Sequence, residues 1–339
     1  MNSLFRKKCI LIRADASQTA GLGHLIRSLA LAEILSSHYK IHFVCEDGLS
    51  QLLIDDIKQV VDVLTLLPSG MAGDIPEGVF EDSALAAVVL DGYLFTHESL
   101  AQIRKRGVPL AWIVDSEIAP KEADMLLSHS LWMNDSREST QLYYGAEYVM
   151  VRRSFRLNQR TSRAPWPIQS IFICCGGLDS KGYALKILSM AKKCCSEAKF
   201  HLILGTSQKD LTLNQKIDWN VTTYRNLPAA TISELLQSSQ VAITSASGVA
   251  LEAASVGIGL AIGFYTENQQ GLYRQLTARG CAVGLGSFDC LNQKKFDEKW
   301  SDAFSHQANI MSILKKQRIV FDGKSAERII KAFSELVDA

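Results

Sequence analysis

The chain has 339 residues, 47% of them hydrophobic and 21% charged, with a formal net charge of +1. That length exceeds what one hydrophobic core usually fills, so two domains of about 150 residues each are expected. The near-neutral balance excludes the basic footprint of nucleic-acid or membrane-surface binding, and no apolar run reaches the ~18 residues of a membrane span.

Small or neutral partners are therefore expected, with no nucleic acid and no membrane. Met1 to Lys8 is short and mixed and carries no signal-peptide pattern, so a cytoplasmic location is expected. The eight cysteines include the adjacent pairs Cys174-Cys175 and Cys194-Cys195, but there is no Cys-x-x-Cys and no histidine at ligand spacing. Buried thiols are expected in place of disulfides or a metal site.

Cys9-Ile10-Leu11-Ile12 has strand composition, and Leu25, Leu29, Ala32 and Leu35 recur with helical period. Between them lie Arg13-Ala14-Asp15-Ala16-Ser17 and Gly21-Leu22-Gly23-His24-Leu25-Ile26-Arg27. A strand, a glycine loop and a helix N-terminus bring backbone N–H groups with partial positive charge close to a ligand, and phosphate is the natural guest. A glycine turn that merely joins strand to helix is the plain alternative. His24 stands where the helix begins, where the helix dipole disfavours imidazolium, so a partly buried ring stays neutral near pH 7 and can accept a proton. A capping or packed histidine is the bland alternative. Glycines and an arginine as neighbours, in place of core residues, favour a general base.

Residues 41–45 read as a buried strand and 51–63 as a helix. The strand at 86–90 ends in Asp91-Gly92-Tyr93, the helix at 98–106 follows, the strand at 110–114 ends in Asp115, and the short run 125–129 ends in His129. Asp91, Tyr93, Asp115 and His129 thus share the sheet edge where a parallel sheet presents polar residues to a ligand crevice. Asp and Gly also close strands that bind nothing.

Residues 152–167 are dense in arginine and proline and read as an interdomain linker. The strand at 170–175 leads into Gly176-Gly177-Leu178-Asp179-Ser180, repeating the strand, glycine turn and helix of the first half. A helix at 182–191 and strands at 200–204 and 220–224 follow, so two similar α/β halves are implied. The next cluster is Val241-Ala242-Ile243-Thr244-Ser245-Ala246-Ser247-Gly248-Val249-Ala250-Leu251-Glu252. Ser247 and Gly248 place a hydroxyl and open amides at a helix N-terminus, where a diphosphate fits. Glu252, one turn on, can accept hydrogen bonds from the two hydroxyls of a ribose, although a capping or solvated glutamate is the alternative. After a strand at 259–263, Glu267-Asn268-Gln269-Gln270 opens a helix, with Asn268 a cap or an amide donor to phosphate or sugar. Helices at 297–305, 311–318 and 325–337 end the chain, with Asp322-Gly323 as a break and Lys315, Lys316 and Arg318 on a solvated face.

Arg13-Ala14-Asp15, Gly21-x-Gly23-His24-x-x-Arg27 and Ala30-Leu31-Ala32 resemble the opening of the UDP-sugar hydrolases of the pseudaminic acid pathway, relatives of the spore-coat polysaccharide protein family. Leu90-Asp91-x-Tyr93, Gly176-Gly177-x-Asp179, Ser247-Gly248-x-x-x-Glu252, Gly257, Asn268-Gln269 and Asp322-Gly323 follow in the family's order, over nearly the whole chain. The Ser-Gly-x-x-x-Glu element is shared more widely with GT-B nucleotide-sugar glycosyltransferases, including the lipid II synthase family. The resemblance implies an α/β GT-B fold: two Rossmann-like domains with parallel sheets facing across a cleft. Residues 1–157 would form the sugar-side domain, 158–321 the UDP-binding domain, and 322–339 a helix crossing back to the first.

By the same resemblance, Glu252 holds the uridine ribose and Ser247-Gly248 the diphosphate, while His24, Tyr93 and Asn268 surround the reacting sugar. Arg13, Asp15, Gly21, Gly23, Arg27, Asp91, Gly177 and Gln269 complete the implied substrate site. The implied reaction is hydrolysis of a UDP-linked amino or deoxy sugar to free sugar and UDP. Water attacks the anomeric carbon with inversion, by a monomer, with no organic cofactor and no metal. Gly92, Ala250, Leu178 and the stretch Val114-Asp115-Ser116-Glu117 depart from the family's pattern, and the sugar itself stays open. A GT-B glycosyltransferase and a non-catalytic nucleotide-sugar-binding protein are the competing readings. A dinucleotide oxidoreductase is disfavoured, since the third glycine of its fingerprint is missing.

Overall fold

In the computed structural model the described residues are 7–15, 22–71, 73–82, 84–115, 121–129, 140–157, 166–177, 179–205, 216–218 and 220–338. Ser17, Gly21, Ser116, Glu117 and Leu178, all used in reading the sequence, lie outside them. The chain divides into two compact units, Met1–Arg153 with Lys324–Ala339, and Ser154–Gly323.

The N-terminal unit contains strands β1 (Cys9–Ala14), β2 (Lys40–Glu46), β3 (Val63–Leu67), β4 (Leu85–Asp91), β5 (Leu110–Ile113), β6 (Met125–Ser128) and β7 (Gln141–Tyr144). They pair in parallel in the order β3-β2-β1-β4-β5-β6-β7. Helices α1 (Gly23–Leu35), α2 (Gln51–Lys58) and α3 (His97–Lys105) alternate with the early strands. Central strands of a parallel sheet are covered on both faces, which is why β1 and β4 read as near-continuous apolar runs. Ile10 and Ile12 enter one core with Leu29 and Phe43, while Leu11 enters the other with Val88, Leu90 and Trp112. This is the two-residue alternation of a strand. The strand order reverses between β1 and β4, whose register sets Ala14 opposite Asp91. Such a switch point opens a crevice at the carboxyl ends of the strands.

A short helix, α4 (Arg153–Leu157), precedes the second sheet. That sheet holds β8 (Ser170–Cys174), β9 (Lys199–Ile203), β10 (Lys216–Asp218), β11 (Val221–Tyr224), β12 (Val241–Ser245), β13 (Gly259–Phe264) and β14 (Val283–Ser287). Their order is β10-β11-β9-β8-β12-β13-β14, parallel except for the β10–β11 pair. Helices α5 (Tyr183–Cys194), α6 (Ala229–Ser238), α7 (Gly248–Val256), α8 (Asn268–Ala278), α9 (Gln293–Phe304) and α10 (Gln307–Val320) complete the unit. Its switch point lies between β8 and β12.

Several elements differ from the sequence reading. The helix expected over 51–63 ends at Lys58, and Val63–Leu67 forms β3. Asp62 breaks the pattern by accepting a hydrogen bond from the Ile41 amide at 2.8 Å, which starts the new strand beside β2. Strands β7, β10 and β14 have no counterpart among the elements expected from the sequence. β14 carries two glycines, and at Gly263 on its neighbour β13 a Cβ would lie 2.0 Å from the Phe288 ring, so the aromatic replaces a side chain. All eight cysteines are free, but Cys290 is exposed and Cys194 and Cys195 are only half-buried.

The last helix, α11 (Ser325–Asp338), belongs to the N-terminal unit. Ile329, Ala332, Phe333 and Leu336 follow a helical stripe and are buried with α1 and β1 residues in one core. Phe333 is 0% exposed, whereas Ile319 on α10 is 71% exposed. Phe333→Ala should therefore cost about 3–5 kcal/mol of stability, and Ile319→Ala about 0.5 kcal/mol or less, in urea unfolding.

Candidate active site

The C-terminal ends of β1, β4, β5 and β6 and the first turn of α1 bring together a polar cluster. His24, Arg27 and Ser28 lie three and four residues apart and so share one face of α1. Arg27 is buried. Its Nε donates to Asp91 Oδ1 at 3.0 Å and Oδ2 at 2.8 Å, its Nη2 to Asp91 Oδ1 at 2.5 Å, and its Nη1 to Asp115 Oδ2 at 2.8 Å. Ser28 Oγ donates to Asp91 Oδ2 at 2.7 Å. Burial alone would lower the Arg27 pKa, but the two carboxylates outweigh it and hold the guanidinium charged.

Asp115 is the junction of this cluster. Besides Arg27 it accepts from the Tyr93 hydroxyl at 2.8 Å, and its Oδ2 lies 3.6 Å from His24 Nε2. Burial pushes the Asp115 pKa up, but His24, Arg27 and Tyr93 overcome this and keep it well below the usual carboxylate range. The Tyr93 and His24 rings meet edge to face, with centroids 4.7 Å apart, and Tyr93 is itself 56% exposed. The other imidazole nitrogen, His24 Nδ1, is buried and meets no hydrogen-bond partner among the described residues. His129, half-buried at the end of β6, is pushed down to about 4, first by burial and then by the Arg27 charge.

Arg13 and Asp15 form a second cluster beside the first. Arg13 is wholly buried and donates to the carbonyl oxygens of Ala14 at 2.6 Å, Met71 at 2.9 Å and Asp74 at 3.0 Å. It also pairs with Asp15 Oδ1 at 3.0 Å. Asp15 Oδ2 is buried without a partner among the described residues. Burial raises the Asp15 pKa against the pull of Arg13. A Cβ on Gly92 would lie 2.3 Å from that oxygen, so glycine here makes room for the Asp15 carboxylate. Arg13, Arg27 and Asp91 are all buried. Gly23 and Tyr93 are exposed, and His24 is buried.

In the C-terminal unit the glycine loop after β8 is held from two sides. Asp179, with φ at 34°, accepts from the amides of Tyr183 at 2.8 Å and Ala184 at 3.0 Å, so α5 is capped from within the chain. Tyr265 donates through its hydroxyl to the Cys175 carbonyl at 3.0 Å and stacks on Tyr183, centroids 5.0 Å apart. Gly177 is exposed between these supports. Helix α7 starts differently. Ser247 occupies its N-cap position without making a side-chain cap, and its Oγ lies 3.0 Å from Ser245 Oγ. Gly248 is exposed, and Glu252 one turn later is buried. Helix α1 likewise starts with no side-chain cap, whereas α2, α3 and α9 are capped by Ser50, Thr96 and Asn292. Open amides at a helix start are an anion site in waiting. Gln269 Oε1 accepts from the Tyr265 amide at 3.1 Å, and exposed Asn268 accepts from the Thr266 hydroxyl at 2.7 Å without capping α8.

Within the N-terminal unit the structure therefore unites His24, Tyr93, Arg27 and Asp91, with Arg13 and Asp15 alongside. Ser247, Gly248, Glu252, Gly177, Asn268 and Gln269 stand in the other unit. Ser28 is not among the residues the sequence points to, and Asp115 and His129 have no assigned role there. Asp115 and His129 announced themselves only as the polar residues that end β5 and β6. No group of His, Cys, Asp and Glu arranged to hold a metal ion occurs among the described residues.

No protein-family model matches the chain. It is 25% identical over 291 residues to the UDP-2,4-diacetamido-2,4,6-trideoxy-beta-L-altropyranose hydrolase of Campylobacter jejuni, covering 81% of this chain and 98% of that protein. Acinetobacter baumannii MurG superposes with a TM-score of 0.63 at 14% identity, over 96% of this chain and 99% of that one. The spinosyn rhamnosyltransferase SpnG complexed with thymidine diphosphate gives 0.62 at 12% identity, over 96% and 100%. The fold is that of the GT-B glycosyltransferases.

Asp91→Ala would leave Ser28 and most of the Arg27 guanidinium without their buried acceptor. A loss of about 3–5 kcal/mol is expected in urea unfolding. The unfolded chain protonates His129 near 6.5 and the folded chain near 4, so the unfolded state holds more protons in between. Stability should fall as pH drops through that window, by up to ~1.4 kcal/mol per pH unit, and His129→Gln should flatten this slope.

Proposed function

We propose that this protein hydrolyses a UDP-linked amino or deoxy sugar to the free sugar and UDP. UDP-2,4-diacetamido-2,4,6-trideoxy-β-L-altropyranose or a close analogue is the substrate, within nonulosonic (pseudaminic) acid biosynthesis. The observation that carries the reading is the placement of His24. It sits on the first turn of α1, at the switch point of the N-terminal sheet, with Nδ1 unpartnered among the described residues. The Campylobacter hydrolase, similar over 98% of its own length, supports the reaction class.

In this reading His24 takes a proton from water as the water oxygen attacks the anomeric carbon. The bond from that carbon to the diphosphate oxygen breaks with inversion, and UDP leaves. Tyr93 and Asn268 contact the sugar. The open amides at Ser247-Gly248, at the start of α7, receive the charge that develops on the diphosphate, and Glu252 accepts from the ribose hydroxyls. These steps require neither a metal nor an organic cofactor, and a single copy of the chain suffices. The glycosyltransferases that share the fold favour a second reading, in which an acceptor hydroxyl takes the place of water.

Release of UDP from the UDP-sugar alone, with no acceptor, separates the two. Wild-type protein should release it, His24→Ala should do so ~10²–10⁴-fold more slowly, and Glu252→Ala should raise KM about tenfold or more. Release that requires an acceptor would establish the transferase reading. Tight binding without product would mark a non-catalytic binding protein, and near-wild-type turnover by His24→Ala would remove His24 from the mechanism.

A further inference from the structure

We propose that Asp15 Oδ2 and His24 Nδ1 together hold the attacking water, each accepting a hydrogen bond from one of its two O–H bonds. The water oxygen then keeps a lone pair for the anomeric carbon. This rests on the hydrolase reading given above and sharpens its contrast with transfer, because water has two protons to donate and an acceptor hydroxyl has one. Asp15 and His24 meet the same turn. The Asp15 amide donates to the Asp91 carbonyl at 2.9 Å, a Cβ on Gly92 would collide with Oδ2, and the Tyr93 ring packs on the imidazole with centroids 4.7 Å apart. Oδ2 and Nδ1 are both buried, and neither has a partner among the described residues.

The two oxygens of Asp15 differ in what they meet. Oδ1 pairs with Arg13 Nη2 at 3.0 Å and accepts from the Gly73 amide at 3.3 Å, which fixes the carboxylate and leaves Oδ2 as its second acceptor. Arg13 is anchored in turn by the carbonyls of Ala14, Met71 and Asp74. Burial raises the Asp15 pKa, against the pull of Arg13, the Gly73 amide and His24. A buried carboxylate oxygen without a donor costs free energy that a donating water recovers. Glycine at 92 keeps room beside that oxygen. In the step itself one water proton passes to Nδ1 as the oxygen attacks the anomeric carbon. The electron pair of the bond from that carbon to the diphosphate oxygen leaves with UDP. The other proton stays on the new anomeric hydroxyl, still donated to Asp15, so Asp15 takes no proton. The aspartate that the resemblance groups with the substrate contacts thus serves the nucleophile.

The test uses the full-length protein and the UDP-sugar named above in buffer containing methanol, which has one O–H to donate and satisfies only one of the two acceptors. Wild-type enzyme should form methyl glycoside and free sugar in a ratio about tenfold or more below the methanol-to-water ratio. In Asp15→Asn the remaining oxygen keeps Arg13 and Gly73, and a donor amide replaces Oδ2. Its kcat should fall about tenfold or more with KM changed less than about threefold, and its methyl glycoside share should rise about threefold or more. Gly92→Ala, which pushes the carboxylate aside, should act in the same direction. An Asp15→Asn enzyme with wild-type kcat and an unchanged product ratio would overturn the proposal. Wild-type enzyme that forms methyl glycoside in proportion to methanol would overturn it too, and that readout needs no variant to fold. Wild-type protein that releases no UDP without an acceptor ends the hydrolase reading as well, whereas hydrolysis accompanied by either of the other two results ends this proposal alone.

Discussion

A single buried guanidinium organises the N-terminal site. Arg27 bridges Asp91 at the end of β4 and Asp115 just after β5, with Ser28 completing the hydrogen bonds of Asp91. Removing such charges from water costs several kcal/mol per ion, and only a fully hydrogen-bonded arrangement offsets it. Two carboxylates and one guanidinium can satisfy one another here because three elements converge: α1 supplies the cation, and neighbouring parallel strands supply the anions. The first turn of α1 is thereby locked to the sheet edge. His24, one turn away on the same face, inherits that rigidity.

The second unit solves a similar topological problem with different chemistry. Its strand order also reverses beside the first strand, but the glycine loop there is stabilised by the internal Asp179 cap and by the Tyr265 and Tyr183 stack. Helix α5 consequently has its first amides occupied by a side chain, while α7, across the switch point, starts with no side-chain cap. Each unit thus places one uncapped helix start at its switch point. In the N-terminal unit a titratable ring sits on that turn. In the C-terminal unit a hydroxyl, a glycine and a buried carboxylate do.

The buried strands were legible because parallel strands covered on both faces require apolar side chains at every position, as in Cys9-Ile10-Leu11-Ile12 and Val241-Ala242-Ile243. Edge strands were not. Gln141–Tyr144 and Val283–Ser287 are only partly buried, and the latter uses Gly284 where the Tyr273 side chain fills the space. β3 was hidden because Leu64 and Leu66 continue the apolar spacing of α2, and only the hydrogen bond at Asp62 ends it. At the site, strand-end position points to Asp91, Tyr93, Asp115 and His129, and the glycine pattern to His24. Nothing in the order of residues says that Arg27 turns inward to two acids, or that Asp115 is the group that Arg27, Tyr93 and His24 meet. Those are consequences of which strands lie side by side.

In the proposed hydrolysis His24, held by this buried network, directs water to the anomeric carbon of a nucleotide-linked sugar. Turnover of the UDP-sugar in water enriched in oxygen-18, read by mass spectrometry of both products, tests it most directly. Heavy oxygen should appear in the freed sugar and not in UDP. Label in the terminal phosphate of UDP would place the attack at phosphorus and contradict attack at the anomeric carbon.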